Sequence, residues 1–404
     1  MLATVAFLAT TILSNLNADQ TTPKRPNVVL ILVDDMGWSD IGCYGSEIET
    51  PNIDRLASEG MLFTQFYNNA KCTTTDAFTD HAIRTVQSHV ASGKPFFHYL
   101  PYTAPHYPLH AKPSDIAKYQ GKYAEGWDVL RQKRLARQQE LGLVDEEWDV
   151  IDRDDRAQPW ESAKQIDEPW QQLRMEVYAA MIDSVDQNIG RLLDALDELE
   201  VADSTLVLFL ADNGGGAETP GGNDPKQIPG PKEYYSHVGP GWATASNTPF
   251  RRYKQYCHEG GIATPLVARW PETIQPGSRS EQVCHIIDFL PTFLEMADAD
   301  YPDKHPAFGG ETIALDGKTM LPVFNGQMRA GHDYLFWHWS SNRAVRKGDW
   351  KLVWDKHAKT WELYDLAIDR TEAHDVASEH PELAAELIEK WSVWAKKTDV
   401  KVKK

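Results

Sequence analysis

Four cysteines in 404 residues, at positions 43, 72, 257 and 284, are too few to staple a chain of this length, which excludes a scaffold built on disulfides. Positive charge is also scarce: 41 Lys+Arg stand against 59 Asp+Glu, a net charge of −18. A phosphate backbone calls for a basic face, and the only lysine-rich run is the closing VKVKK, so nucleic acid is not an expected partner. Any anionic substrate must instead meet local cations inside a pocket. After the first residues no stretch of about 18 uninterrupted apolar residues occurs, so a mature membrane span is not expected. Repeats and low-complexity tracts are missing too. What the chain does have is 42% apolar residues, with 14 Trp, 15 Tyr and 13 Phe, enough for a sizeable core and too many for a wholly disordered chain. Its length allows two to four domains, or one large α/β body with an appendage.

Met1 to about Leu13 is a short apolar run followed by polar residues and Ala18, which reads as a signal peptide over 1–18. A buried N-terminal helix is the competing reading, weakened by the linker-like TTPKRP that follows. Export would place the chain in a secreted or periplasmic space, where calcium is plentiful and a disulfide among Cys43, Cys257 and Cys284 can form.

Asn27–Val33, NVVLILV, is an unbroken aliphatic run that fits a strand buried on both faces. Further strands are expected at Met61–Ala70, Phe96–Leu100, Thr205–Leu210 and Thr264–Trp270. Helices are expected at Pro51–Gly60, Asp76–Ser92, Gly126–Glu147, Leu173–Glu200 and Ile286–Ala297. Helices feeding buried strands are the unit of an α/β sheet. Residues 214–249, rich in Gly and Pro, read as a long functional loop. The body is expected over 19–320. A smaller C-terminal α+β subdomain is expected over 321–404, from aromatic runs that suggest an antiparallel sheet and a closing helix at about Pro381–Lys396. Trp337, Trp339, Trp350 and Trp354 read as sheet and interface core rather than a sugar-stacking platform.

Ligands of open α/β sheets bind beyond the carboxyl ends of parallel strands. The first run ends in Asp34-Asp35, the second delivers TAPHYP with His106, and the third delivers ADNGG with Asp212-Asn213. These aspartates and the asparagine offer only oxygen, which suits a hard cation such as Ca²⁺ or Mg²⁺, and adjacent carboxylates are costly without one. The alternative is a set of acids that cap loops and helices. TPFRRYKQYCHEGGIATP adds Arg251, Arg252 and Lys254, then Glu259 and two glycines that permit close backbone approach; a plain solvated basic loop would read the same way. Cys72, in NNAKCTTTDAF, could be either a reactive residue or a small buried one.

NVVLILVDDMGWSDIGCYGSEIETPNIDRLASEGMLFTQFY resembles the opening of the type I sulfatases, whose fold is alkaline-phosphatase-like. TAPHYPLHA, LVLFLADNGG, NTPFRRYKQYCHEGG and NRAVRKGDWKLVW resemble the same family, in its order and over nearly the whole mature chain. The resemblance implies an α/β mixed sheet flanked by helices and a sulfuric ester hydrolase acting on an aryl or carbohydrate sulfate. It implies Asp34, Asp35, Asp212 and Asn213 as calcium ligands. Cys72 would be the precursor of formylglycine, made by a formylglycine-generating enzyme. His106 would be a general base in sulfate release, and Lys254 would bind sulfate and stabilise the leaving oxygen.

The chain departs from the family at one place. Thr74 stands where the family motif has Pro or Ala, Asp76 where it has Arg, and the family's G-K-W-H segment is nowhere in the chain. About a hundred residues that normally carry part of the sheet are missing at about 74–76. An acid at position 76 is expected to oppose a dianionic sulfate. Two further readings follow: a catalytically impaired pseudo-sulfatase that keeps the calcium site, and a phosphoesterase of the same superfamily. The latter would use Thr73 as nucleophile and two zinc ions, with His106, His237 and His258 the only histidines in suitable loops.

Overall fold

Asn27–Asp34 (β1) is an inner strand of the main sheet, paired on both sides, and seven of its eight residues are buried, which is why its sequence is aliphatic without alternation. The computed structural model describes residues 25–68, 76–304, 307 and 309–401; the expected leader 1–18 and Cys72 lie outside them. After β1 come α1 (Pro51–Ser58), β2 (Met61–Tyr67), α2 (Asp76–Ala91), β3 (Phe97–Pro105) and the short α3 (Pro113–Ile116). Next are α4 (Gly126–Glu140), α5 (Trp160–Glu198), β4 (Thr205–Ala211), α6 (Gly239–Ser246), α7 (Glu259–Ile262) and β5 (Ala263–Arg269). The short β6 (Ser278–Ser280) and β7 (Cys284–His285), then α8 (Phe289–Met296) and α9 (Leu321–Phe324), complete the body.

The sheet runs β3-β1-β4-β5-β2-β6, with β7 also paired to β2. β1 is parallel to β3 and β4, whereas β5 is antiparallel to both β4 and β2. The carboxyl ends of β1, β2, β3 and β4 therefore share one edge, and β5, running the other way, brings its beginning to that edge. This single reversal decides which loops can meet.

Alternate residues of the strands feed two cores. Val29, Ile31 and Val33 pack with Ile53, Val86, Ile182, Ile189 and Leu196 of the helices on one face. Leu32, Leu206, Leu208 and Leu210 pack with Phe289, Val323 and Phe324 on the other. Each such buried aliphatic or aromatic side chain contributes about 1.5–3 kcal/mol. The second face is left open at one margin: β3 is the edge strand, and Phe97 and Tyr99 are 55% and 44% exposed.

Beyond the body, β8 (Leu335–Trp339), β9 (Asn342–Lys347), β10 (Trp350–Asp355) and β11 (Thr360–Asp365) form an antiparallel meander. It packs on α10 (Pro381–Lys397) through Leu352, Leu363, Leu387 and Trp391. Buried ion pairs and a charged hydrogen bond tie this sheet to the body. Lys351 lies 2.7 Å from Glu259 and 2.8 Å from Glu372, His258 lies 2.9 Å from Glu362, and Arg346 donates to the Tyr67 hydroxyl at 2.6 Å.

Several elements differ from the sequence reading: α4 stops at Glu140 rather than Glu147, and β3 runs on to Pro105 rather than ending at Leu100. α5 begins at Trp160 rather than Leu173, because Asp167 (φ −170°, ψ 95°) and Pro169 interrupt a helix that continues on both sides. The expected loop 214–249 contains α6, whose Gly, Ala and Ser residues carry little helical signal but are buried almost throughout. The disulfide left open among Cys43, Cys257 and Cys284 does not form; all three are free thiols.

Candidate active site

Asp34 closes β1, and Asp35 follows in the left-handed region with φ 63°. That turn lets the Asp35 amide donate to Asp212 Oδ1 at 2.9 Å, at the end of β4. The Asn213 amide donates to the same oxygen at 2.8 Å, and Asn213 Nδ2 donates to Asp35 Oδ1 at 2.9 Å. Lys254, on the loop leading into β5, holds both oxygens of Asp35, at 2.7 and 2.9 Å. His106 follows β3 and places Nε2 3.4 Å from Asp35 Oδ2. Its Nδ1 lies 2.6 Å from the Tyr107 carbonyl, which can only accept, so Nδ1 carries the proton and Nε2 faces the carboxylate. The structure thus brings six of the seven expected site residues to one edge. The seventh, Cys72, lies outside the described residues, four positions after Asn68, whose Nδ2 donates to the Ala211 carbonyl at 3.0 Å.

The cluster is short of positive charge. Burial raises the Asp35 carboxyl, with Lys254 and His106 pulling it back. Burial, then Asp35 and Asp34, push Asp212 well above the carboxylate range. Burial works against the Lys254 charge, yet Asp35, Glu218 and Asp34 hold its ammonium well above its ordinary value. Among the described residues Asp212 Oδ2 is buried without a hydrogen-bond partner. Ligand atoms of Asp34, Asp35 and His106 lie within 4.8 Å of one another. A buried orphan oxygen in an oxygen-rich, cation-poor cluster fits a hard divalent ion. Backbone packs tightly round it: a Cβ on Gly216 would stand 2.6 Å from Asp35 Oδ2, and one on Gly214 would stand 1.8 Å from the Gly260 carbonyl oxygen.

Several sequence candidates go elsewhere. Arg251 hydrogen-bonds the Tyr364 hydroxyl at 2.7 Å, and Arg252 pairs with Asp154, Asp155 and Asp355, so neither supplies charge to the centre. Glu259 is buried between Lys351 and Arg370. His237 sits on Arg174 and the Gly222 carbonyl and is held down at about 4 by burial and by Arg174, and His258 sits on Glu362; neither joins His106. Asp76 opens α2 and bonds Lys112 at 2.7 Å and Asn188 at 2.7 Å, so its charge is already compensated. The repulsion of sulfate expected from it is correspondingly reduced.

Two residues were missed. Glu218 places Oε1 3.5 Å from Lys254, with Oε2 buried and without a hydrogen-bond partner. An acid six positions after Asp212 was the available signal. Trp339 is 51% exposed and, with Tyr107, Tyr235 and the buried Trp337, lines a cleft of about 600 Å³ that opens from Lys254 and Asn213. Trp337 is core as expected; Trp339, at the tip of the β8–β9 hairpin, is not.

Known proteins match in the same terms. The sulfatase family profile matches residues 26–75 and 72–299, and the profile of the N-sulphoglucosamine sulphohydrolase C-terminal region matches 251–397. An uncharacterized sulfatase of Schizosaccharomyces pombe is 29% identical over 528 aligned positions, covering 94% of this chain and 95% of the relative. Human N-acetylgalactosamine-6-sulfatase is 26% identical over 428 positions, covering 86% of this chain and 75% of the relative. Among solved structures, Ps i-CgsB in complex with k-i-k-neocarrahexaose superposes with a TM-score of 0.64 at 20% identity, covering 92% of this chain and 93% of that one. With profile matches running through both sheets, the chain belongs to the sulfatase family.

Proposed function

We propose that the chain hydrolyses an aryl or carbohydrate sulfate ester in a secreted or periplasmic setting, using calcium and a formylglycine derived from Cys72. The observation that carries this reading is the shared edge, where Asp34, Asp35, Asp212, Asn213, His106 and Lys254 converge. Calcium held by Asp34, Asp35, Asp212 and Asn213 would polarise the sulfuryl oxygens as a Lewis acid. Formylglycine at position 72 would supply the nucleophile. Lys254 offers its ammonium to sulfate oxygens and to the charge that develops on the leaving oxygen. His106, its Nδ1 anchored on the Tyr107 carbonyl, keeps Nε2 aimed at the centre for proton transfer. Asn213 and Asp212 fix the Asp35 carboxylate and backbone against rotation.

A catalytically impaired pseudo-sulfatase that keeps the calcium site is the second reading, and the junction near 74–76 favours it. The two pieces of the family match meet at 72–75, and the fission-yeast alignment spans 528 positions against a chain of 404. We read both as a family segment missing between the nucleophile region and α2. Co-expression with a formylglycine-generating enzyme, followed by mass spectrometry of the peptide spanning Lys71-Cys72-Thr73, separates the two. Conversion of Cys72 with calcium-dependent turnover of 4-nitrophenyl sulfate is the result expected. Unmodified Cys72 and no turnover would establish the pseudo-sulfatase.

A further inference from the structure

Among the described residues two large clefts open from the candidate centre, and they share His106 and Tyr107. One is the aromatic cleft of about 600 Å³ that leads past Lys254 to Trp339. The other, of about 750 Å³, leaves His106 in a different direction, between the end of β3 and α5, over Ile116 and Met181. A site that trims chain ends needs a blind pocket, because a closed wall is what selects a terminus. Here a group seated between Lys254 and His106 would have room on both sides.

The two arms differ in chemistry. Tyr235 and Trp339, 50% and 51% exposed, offer ring faces in the first arm, and the negative face of an aromatic ring attracts the weakly positive C–H face of a sugar. Glu218 adds an acceptor for hydroxyl groups there. The second arm carries the cations Lys112 and Lys232. Asp76 compensates Lys112 at 2.7 Å, while Lys232 forms no ion pair among the described residues and is exposed. A cation beside the path of the substrate is matched by a second anionic group one sugar away from the ester at the centre. With a net charge of −18 the protein cannot hold a polyanion by its overall field, so such recognition has to be local.

We propose that the centre is built to hold an internal sulfated sugar of an oligosaccharide, with a neighbouring ring on Trp339 and Tyr235 and a further sulfate or carboxylate at Lys232. This rests on the sulfatase reading for the central group but makes a separate claim about the flanks. Titration calorimetry on the full chain with calcium, using an ι-carrageenan hexasaccharide and galactose 4-sulfate, tests it without requiring maturation of Cys72. The hexasaccharide is expected to bind at least about tenfold tighter. Lys232→Ala and Trp339→Ala are each expected to lower the hexasaccharide-to-monosaccharide affinity ratio by about fivefold. Equal affinities for the two probes, or ratios unmoved by both substitutions, would overturn the proposal. Tight hexasaccharide binding through both arms with no ester turned over by the co-expressed protein would sink the hydrolytic reading alone and leave the two-armed site standing.

Discussion

Two buried clusters of charge, each assembled from distant parts of the chain, are built on opposite principles. At the sheet edge Asp34, Asp35, Asp212 and Glu218 face one lysine and a histidine, and burial raises Asp35 and Asp212. At the junction with the C-terminal sheet Glu259, Glu362 and Glu372 face Lys351, Arg370, Arg346, Arg251 and His258. Burial resists ionisation of Glu259 there, yet Lys351, Arg370 and Arg346 hold it down at about 2, and against the same resistance His258 and Arg251 hold Glu362 at about 2. The second cluster is structural, since each of its acids already has a cationic partner. The unbalanced one carries an excess of negative charge that a bound cation would offset and that costs stability without one.

The comparison breaks first at Glu259. Glu259→Ala leaves Lys351 and Arg370 short of a buried counter-charge and is expected to cost about 3–5 kcal/mol, read by urea unfolding. A loss below about 1 kcal/mol would mean the junction is not held by these pairs. The second prediction concerns the sheet edge. Calcium at a hundredfold excess over its Kd is expected to stabilise the protein by about 2.7 kcal/mol in thermal melts. Asp212→Asn should abolish most of that gain while raising the stability of the calcium-free protein by about 1 kcal/mol, because one of the crowded carboxylates is gone. The same sign at both clusters would end the distinction.

Acid gives the third test. Glu259 and Glu362 are depressed, so their contribution is fully present above about pH 4.5 and is lost as pH falls through about 2. Asp35 and Asp212 are raised, so without calcium they weigh against the fold at neutral pH and cease to do so as they protonate. Melts of the calcium-free protein across pH 7 to 2 should therefore rise before they fall. The smallest effect sets the baseline: Arg55, on the surface with Glu59 at 2.8 Å and Asp197 at 2.9 Å, should change stability by no more than about 0.5 kcal/mol when replaced by alanine.

How much of this could be read beforehand depended on how local its cause is. β1 was legible because burial on both faces leaves an unbroken aliphatic run, and Asp34 and Asp212 were legible because strand ends point to the ligand edge. α5 was read short because Asp167 and Pro169 break the periodicity that identifies a helix. Arg251 and Arg252 were misplaced for a different reason. A sequence shows that a charge exists but not which distant acid claims it, and their partners Asp154, Asp355 and Glu362 are about a hundred residues away, as chain separation scales in such sheets. Trp339 looked like core because alternation in β8 is shared by inward and outward rings alike, and only the hairpin's position beside Lys254 exposes it to the cleft.

The open margin of the sheet has a practical consequence for anyone handling the protein. Among the described residues β3 presents an unpaired strand flank, with Phe97 and Tyr99 exposed on it; Phe97 packs on Phe293, and the nearby Leu290 is 44% exposed. Such a flank is a template for strand addition between molecules. Concentrated preparations will therefore tend to self-associate there, and a lysine in place of Phe97 is the substitution that should keep them monodisperse without touching the ligand edge.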